Sequence, residues 1–234
     1  MFKSLFCLLA LAATPLVCTA QDAAPARAAA ETPPATALFN GTTLDGWSVK
    51  GAGGKATFAV KDGVIVGTSG KGGNNTFLCT NKAYKNFELE VDVKLEKKDD
   101  SYMNSGIQLR SRVGEKSGRV TGWQCEVDPS PRAWTGGIQE EAGRAWLQPL
   151  QVKNAKPKAP QAEFAAGKTF KHNDWNHLRI VCEGQRVRTW VNGVAGADLT
   201  DDKGSAEGFI ALQVHAGPEG HQYFFKNVQV RELK

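Results

Sequence analysis

Gln124, Glu126 and Asp128 take alternate positions in "GWQCEVDPSPRAWTGG" (Gly122–Gly137), with Cys125 and Val127 between them. Alternate residues of a strand share a face, so the Cβ atoms of the two acids lie roughly 6.5–7 Å apart. Two carboxyl groups at that spacing, beside an amide, could pass protons to and from one small polar molecule. The plainer reading is a solvated strand face charged for solubility. Two other runs repeat the motif of polar groups at every second place. "NSGIQLRSR" carries Gln108 and Arg110, and "GFIALQVH" carries Gln213 and His215. Arg110 could clamp a developing negative charge or simply neutralise an acid, and it has donors enough for both. His215 could be a base, a ligand or a structural imidazole. Were it to meet Glu126 and Asp128, a divalent cation would find ligands. The spacing is not a metal signature, and no cofactor is required. The loop that follows brings Trp134, whose indole could stack on a ring or anchor the loop to the core. Gly136 would let backbone N–H groups approach a ligand. Arg144 and Trp146 lie within reach of the same place.

Strands are needed to hold these groups. "FELEVDVKLE" sets Phe87, Leu89, Val91, Val93 and Leu95 against Glu88, Glu90, Asp92 and Lys94. The same period of two runs through "HLRIVCEG", "RVRTWVNG", "GFIALQVH" and "FFKNVQVREL", the last with an irregularity near Asn227. β-Branched and aromatic residues fill these runs, and Gly, Asn and Asp punctuate them. No helical stripe with caps is present. Many short strands with one apolar face each predict an all-β fold of two antiparallel sheets packed face to face, a β-sandwich of jelly-roll type. Trp47, Trp175 and Trp190 are expected to pack in or against it. If the strands of Gln108/Arg110, Gln124/Glu126/Asp128 and Gln213/His215 belong to one curved sheet, all seven side chains share its concave face. "KNAKPKAPQAEFAAGK" is the one long stretch without strand character, a surface excursion that could border a site.

The chain has 234 residues. "MFKSLFCLLALAATPLVCTA" reads as a secretory signal peptide over residues 1–20, with a small-x-small end at Cys18 and Ala20. The poor lipobox before Cys18 disfavours a lipid anchor there. Residues 21–37 are an Ala/Pro-rich flexible leader, and 38–234 has the size of one domain. The expected location is periplasmic or extracellular. No stretch is long and apolar enough for a membrane span. The net charge of +5 is scattered rather than gathered into a stripe for nucleic acid. Cys79, Cys125 and Cys182 remain beyond the signal segment. They sit among apolar strand residues and read as small buried hydrophobes rather than as a disulfide or a zinc site.

In order along the chain, "LFNGTTLDGW", "NSGIQLR", "CEVDPSPRAWTGGI", "DWNHLRIVCEG", "VNG", "LQVH" and "FKNVQVREL" resemble the 3-keto-disaccharide hydrolase family over essentially all of 38–233. The resemblance implies a concanavalin-like jelly roll, secretion, and cleavage of glycosidic bonds in sugars oxidised at C3. Its partner would be a small carbohydrate, with no implied oligomeric state. A C3 ketone acidifies the C2 hydrogen and places the aglycone β to the carbanion, so elimination followed by hydration would break the bond. Such a site needs a base near C2 (His215 or Glu126), a positive charge at the C3 oxygen (Arg110), and an acid at the leaving oxygen (Asp128 or Glu126). Gln108, Gln124, Trp134, Gly136, Arg144, Trp146 and Gln213 would bind the sugar. An E-x-D-x-x-E pattern for ordinary retaining hydrolysis is broken, because Pro131 holds its last place. The rival expectation is a lectin-like module that binds sugar on the same face without turnover.

Overall fold

The computed structural model describes Met1, residues 33–149 and residues 164–234. Thr32–Lys234 forms one compact unit. Residues 2–32, which hold most of the signal segment (1–20) and leader (21–37), and residues 150–163, which hold most of the long excursion (153–168), lie outside the described residues.

Fifteen strands and a single 3-10 turn (Gly167–Thr169) make up the described fold. The first eight strands are β1 (Thr36–Ala37), β2 (Trp47–Lys50), β3 (Thr57–Lys61), β4 (Val64–Thr68), β5 (Thr76–Tyr84), β6 (Phe87–Glu96), β7 (Ser105–Val113) and β8 (Val120–Val127). The rest are β9 (Ile138–Glu141), β10 (Ala145–Gln148), β11 (Asn176–Glu183), β12 (Arg186–Val191), β13 (Val194–Thr200), β14 (Gly208–Val214) and β15 (Gln222–Glu232). One sheet runs β13-β12-β11-β6-β15-β4-β3 with β1 beside β15, and the other runs β10-β9-β8-β7-β14-β5-β2. All the strand pairs are antiparallel. This is the sandwich that the alternation predicts. Among the described residues no helix is long and apolar enough to cross a membrane.

The inward faces are the apolar ones. Leu89, Val91 and Val93 of β6, with Leu178 and Ile180 of β11, meet Ile107, Trp123, Cys125 and Leu212 of the other sheet. Most are 0 % exposed, and burying each stabilises the fold by about 1.5–3 kcal/mol. β15 carries the expected irregularity: its register against β6 shifts between Lys226 and Gln229, and Asn227 has φ +51°. Trp47 is buried, and its indole N–H donates to the Leu38 carbonyl at 2.7 Å. Trp190 lies half-buried on the far side of the larger sheet, with the Arg179 guanidinium 4.3 Å over its ring. All three described cysteines are free and buried. Burial pushes the Cys79 and Cys182 thiols up to about 12, so they pack and do not react.

Candidate active site

The polar row lies on the outer face of the smaller sheet. Gln108 on β7 is opposite Gln124 on β8, Gln124 is opposite Gln139 on β9, and Gln139 is opposite Trp146 on β10. Glu126 is opposite Gly106, and the missing side chain there matters. A Cβ on Gly106 would lie 2.3–2.5 Å from Cγ, Cδ and Nε2 of Gln124. The gap lets the Gln124 amide fold over β7 and donate to Glu126 Oε2 at 2.7 Å. Gln124 Oε1 in turn accepts from Gln108, whose own oxygen accepts from the Ser111 hydroxyl at 2.6 Å. The chain of amides is buried throughout, so each dipole is locked by the next.

Glu126 is the terminus of that chain and part of the wall of a cleft of about 360 Å³. Its carboxyl accepts from Gln124, from Gln139 at 2.7 Å, and from the Asn104 amide. These are neutral donors. Burial therefore dominates and pushes Glu126 up to about 8, with the Gln124 bond pulling the other way and the charge of Asp128 adding to the rise. At neutral pH the shift favours the protonated carboxyl.

His215 lines the same cleft, its ring packed edge-on against Tyr102 with centroids 5.6 Å apart. Burial pushes its pKa below the ordinary imidazole value, so it is a neutral base. Burial, then the Asp128 and Glu126 charges, lift the Tyr102 hydroxyl to about 12. The cation facing these groups is Arg132. Its guanidinium lies 4.6 Å from the Trp134 ring centroid and 4.6 Å from that of Trp146, and it hydrogen-bonds Tyr102. Asp128 holds it from behind at 2.8 Å. At the other end of the cleft Glu141 accepts from Asn75 at 3.2 Å and from Arg119 at 3.4 Å. Burial raises its pKa too.

Glu126, His215, Gln213 and Trp146 of the expected residues meet at this cleft. Others are placed elsewhere. Arg110 does not share the face of Gln108. The β7–β8 register shifts between Leu109 and Arg112, and Arg110 takes φ +46°. That bulge swings the guanidinium to the carbonyls of Lys85 and Gly184 and the Asn86 side-chain oxygen, where it is buried. Asp128 is not an exposed acid: it is 1 % exposed and engaged by Arg132 and the Ser130 amide. Among the described residues no three His, Cys, Asp or Glu groups are gathered for a metal ion. Trp134 is a 2 % exposed core ring set edge-on to Trp146 at 4.6 Å, not a free stacking platform. Gly136 is buried, and its carbonyl accepts from the Thr189 hydroxyl at 2.6 Å. Arg144 pairs with Glu140 and Asp201. Gln108 and Gln124 are buried positioning groups rather than sugar contacts. Arg132, Tyr102, Asn104, Gln139 and Glu141 were missed. Arg132 stands four residues after Asp128, the one spacing that could have suggested the pair.

Three comparisons bear on this arrangement. The model of the 3-keto-alpha-glucoside-1,2-lyase-like domain family matches residues 34–231. A putative glycosyl hydrolase from Parabacteroides distasonis superposes with TM-score 0.58 at 23% identity, over 86% of this chain and 94% of that one. The carbohydrate binding module CBM66 from Bacillus subtilis superposes with TM-score 0.55 at 18% identity, over 84% and 100%. A Bacillus subtilis protein with a galectin-like fold gives 0.56 at 9% identity, over 81% and 90%. No curated relative matches the sequence. At such identities the solved structures establish the fold.

Proposed function

The chain belongs to the 3-keto-alpha-glucoside-1,2-lyase-like domain family, and from that premise we propose that it cleaves the glycosidic bond of 3-keto-glycosides and 3-keto-disaccharides. The observation that carries the reading is one cleft walled by a protonated carboxyl, a neutral imidazole and a guanidinium. His215 takes the C2 proton, and the electron pair moves onto the C3 oxygen as an enolate. Arg132 faces that oxygen and stabilises the charge. The enolate then re-forms the ketone, a C1–C2 double bond forms, and the C1–O bond breaks. The aglycone oxygen leaves with the proton of Glu126. Water next adds to the enone, its oxygen to C1 and a proton to C2, for net hydrolysis. Asp128, expected as an acid, acts by aiming Arg132, and Gln124 and Gln139 fix the Glu126 carboxyl. We also propose export to the periplasm or beyond on the strength of the apolar, small-ended N-terminus; retention of the intact N-terminus in exported protein would refute cleavage there.

A second reading, a lectin-like module, draws support from the carbohydrate binding module that shares the fold. The paired assay decides. The protein should release aglycone from a 3-keto-glucoside and leave the unoxidised glucoside intact. Equal rates on both would remove the elimination mechanism, and binding of both without release would favour the module.

A further inference from the structure

Residues 97–104 link β6 to β7 and bring Tyr102 and Asn104 to the cleft. Lys97–Asp100 and Tyr102 of this loop are exposed, and a second cleft of about 390 Å³ opens beside Lys97–Asp100 and Met103. Met103 anchors the end of the loop in the core, and packing gives the exposed part before it little reason to hold one position. A side chain just before the neighbouring strand β15 fastens it. His221, 1 % exposed, accepts the Lys98 backbone N–H at Nδ1 (3.0 Å) and meets the Ser101 hydroxyl at Nε2 (2.9 Å). An amide N–H can only donate, so Nδ1 must be bare and Nε2 must carry the proton. Ser101 then accepts from Nε2, and its own hydroxyl donates a hydrogen bond to Asp99 Oδ1. The residue is itself anchored through its main chain: the His221 backbone N–H donates to Ser69 Oγ at 3.0 Å, and Ser69 Oγ donates to the Pro218 carbonyl at 2.6 Å.

We propose that His221 is a positioning residue, a clasp that ties the 97–104 loop to the β14–β15 connection and so holds Tyr102 and Asn104 against His215 and Glu126. The two tied segments hold three cleft groups between them, Tyr102 and Asn104 on the loop and His215 at the start of the connection. Asn104 reaches Glu126 directly. The consequence for turnover rests on the reaction proposed above; the clasp does not.

Protonation of Nδ1 would set two donors face to face and open the clasp. Burial holds the His221 pKa below its ordinary value, Asp99 (4.0 Å from Nε2) works the other way, and Lys97 and Lys98 add to the lowering; Ser69, packed from β4's end, is uncharged. The neutral clasp is therefore intact above the ordinary imidazole pKa and is lost as pH falls below it, through the lowered value.

Backbone hydrogen exchange of the full chain tests this, with intrinsic rates corrected. At about pH 7.5, His221→Leu should speed exchange of the Lys98 amide about tenfold or more while β8 amides keep their protection. His221→Asn, whose Oδ1 replaces Nδ1 as acceptor, should restore most of it, and kcat on a 3-keto-glucoside should follow the same order. In the wild type, protection at Lys98 should fall on acidification to about pH 4.5, and in His221→Asn it should not. Equal protection in wild type and His221→Leu, or no recovery in His221→Asn, overturns the clasp. Should His221→Leu fail to fold, a wild-type Lys98 amide indifferent to acid overturns it alone. Exchange that behaves as stated in a protein that never turns over the keto-sugar would sink the reaction and leave the clasp standing.

Discussion

Glu126 and His215 are both shifted toward their neutral forms, the carboxyl by a raised pKa and the imidazole by a lowered one. Both shifts arise from burial, which penalises the ion in each case. The active form then has Glu126 protonated and His215 neutral. Turnover should be flat between the lowered His215 pKa and about 8, falling on the acid side as the imidazole charges and on the alkaline side as the carboxyl ionises. Glu126→Gln should lower kcat by about a hundredfold or more and abolish the alkaline limb. A rate unchanged by that substitution would remove Glu126 from the mechanism. Parity in "WQCEVD" already placed Glu126 and Asp128 on one face, but their roles diverge for a reason no spacing encodes. Asp128 has a guanidinium at 2.8 Å, whereas the donors to Glu126 are amides.

At the level of the strands, β7 both builds and departs from the pattern. Gly106 supplies the room for the Gln124 amide. Gly106→Ala should press on Gln124, cost about 1–3 kcal/mol, and loosen its bond to Glu126. That bond pulls the Glu126 pKa down, so the alkaline limb of the pH–rate curve should move up; a limb that stays put would show that Gln124 has no part in tuning the acid. Four residues on, the bulge at Arg110 reverses the face. An extra residue in a strand flips every parity argument that crosses it, which is why Arg110 looked like a site residue and is a tie between chain turns. Arg110→Met should therefore destabilise the protein by about 2–4 kcal/mol, since the Lys85 and Gly184 carbonyls lose the guanidinium and Asn86 keeps only the Gly184 N–H. Its kcat at a temperature where it stays folded should match the wild type. A tenfold drop there would return Arg110 to the chemistry.

For the molecule as a whole, a protonated carboxyl inside the cleft wall has a thermodynamic signature. The folded Glu126 pKa lies above its ordinary value, so its contribution to stability is complete below about pH 4.5 and is lost as pH rises through about 8. Near pH 9 the loss reaches on the order of 5 kcal/mol. Glu126→Gln removes that ionisation, so the variant should melt no lower than wild type near pH 5 and more than about 5 °C higher near pH 9. Parallel melting curves across that range would show that the carboxyl is not buried as described. The gain would also mark the acid as a group kept for chemistry at a cost in stability.

The amino-acid sequence by itself determined the sandwich, because period-two alternation leaves each strand one apolar face and one way to bury it. It also determined which polar residues of β8 share a face, since parity along a strand is a local property; that this face meets Gln213 and His215 was a condition on the sheet order, which residue spacing does not encode. The tertiary structure decided what lies between strands: that Arg132 and not Arg110 is the cation beside Glu126 and Tyr102, that Trp134 is core, and that burial raises the Glu126 pKa. Those outcomes depend on a bulge, on a loop folding back across its own strand, and on how completely water is shut out. None of them is written into the spacing of residues along the chain.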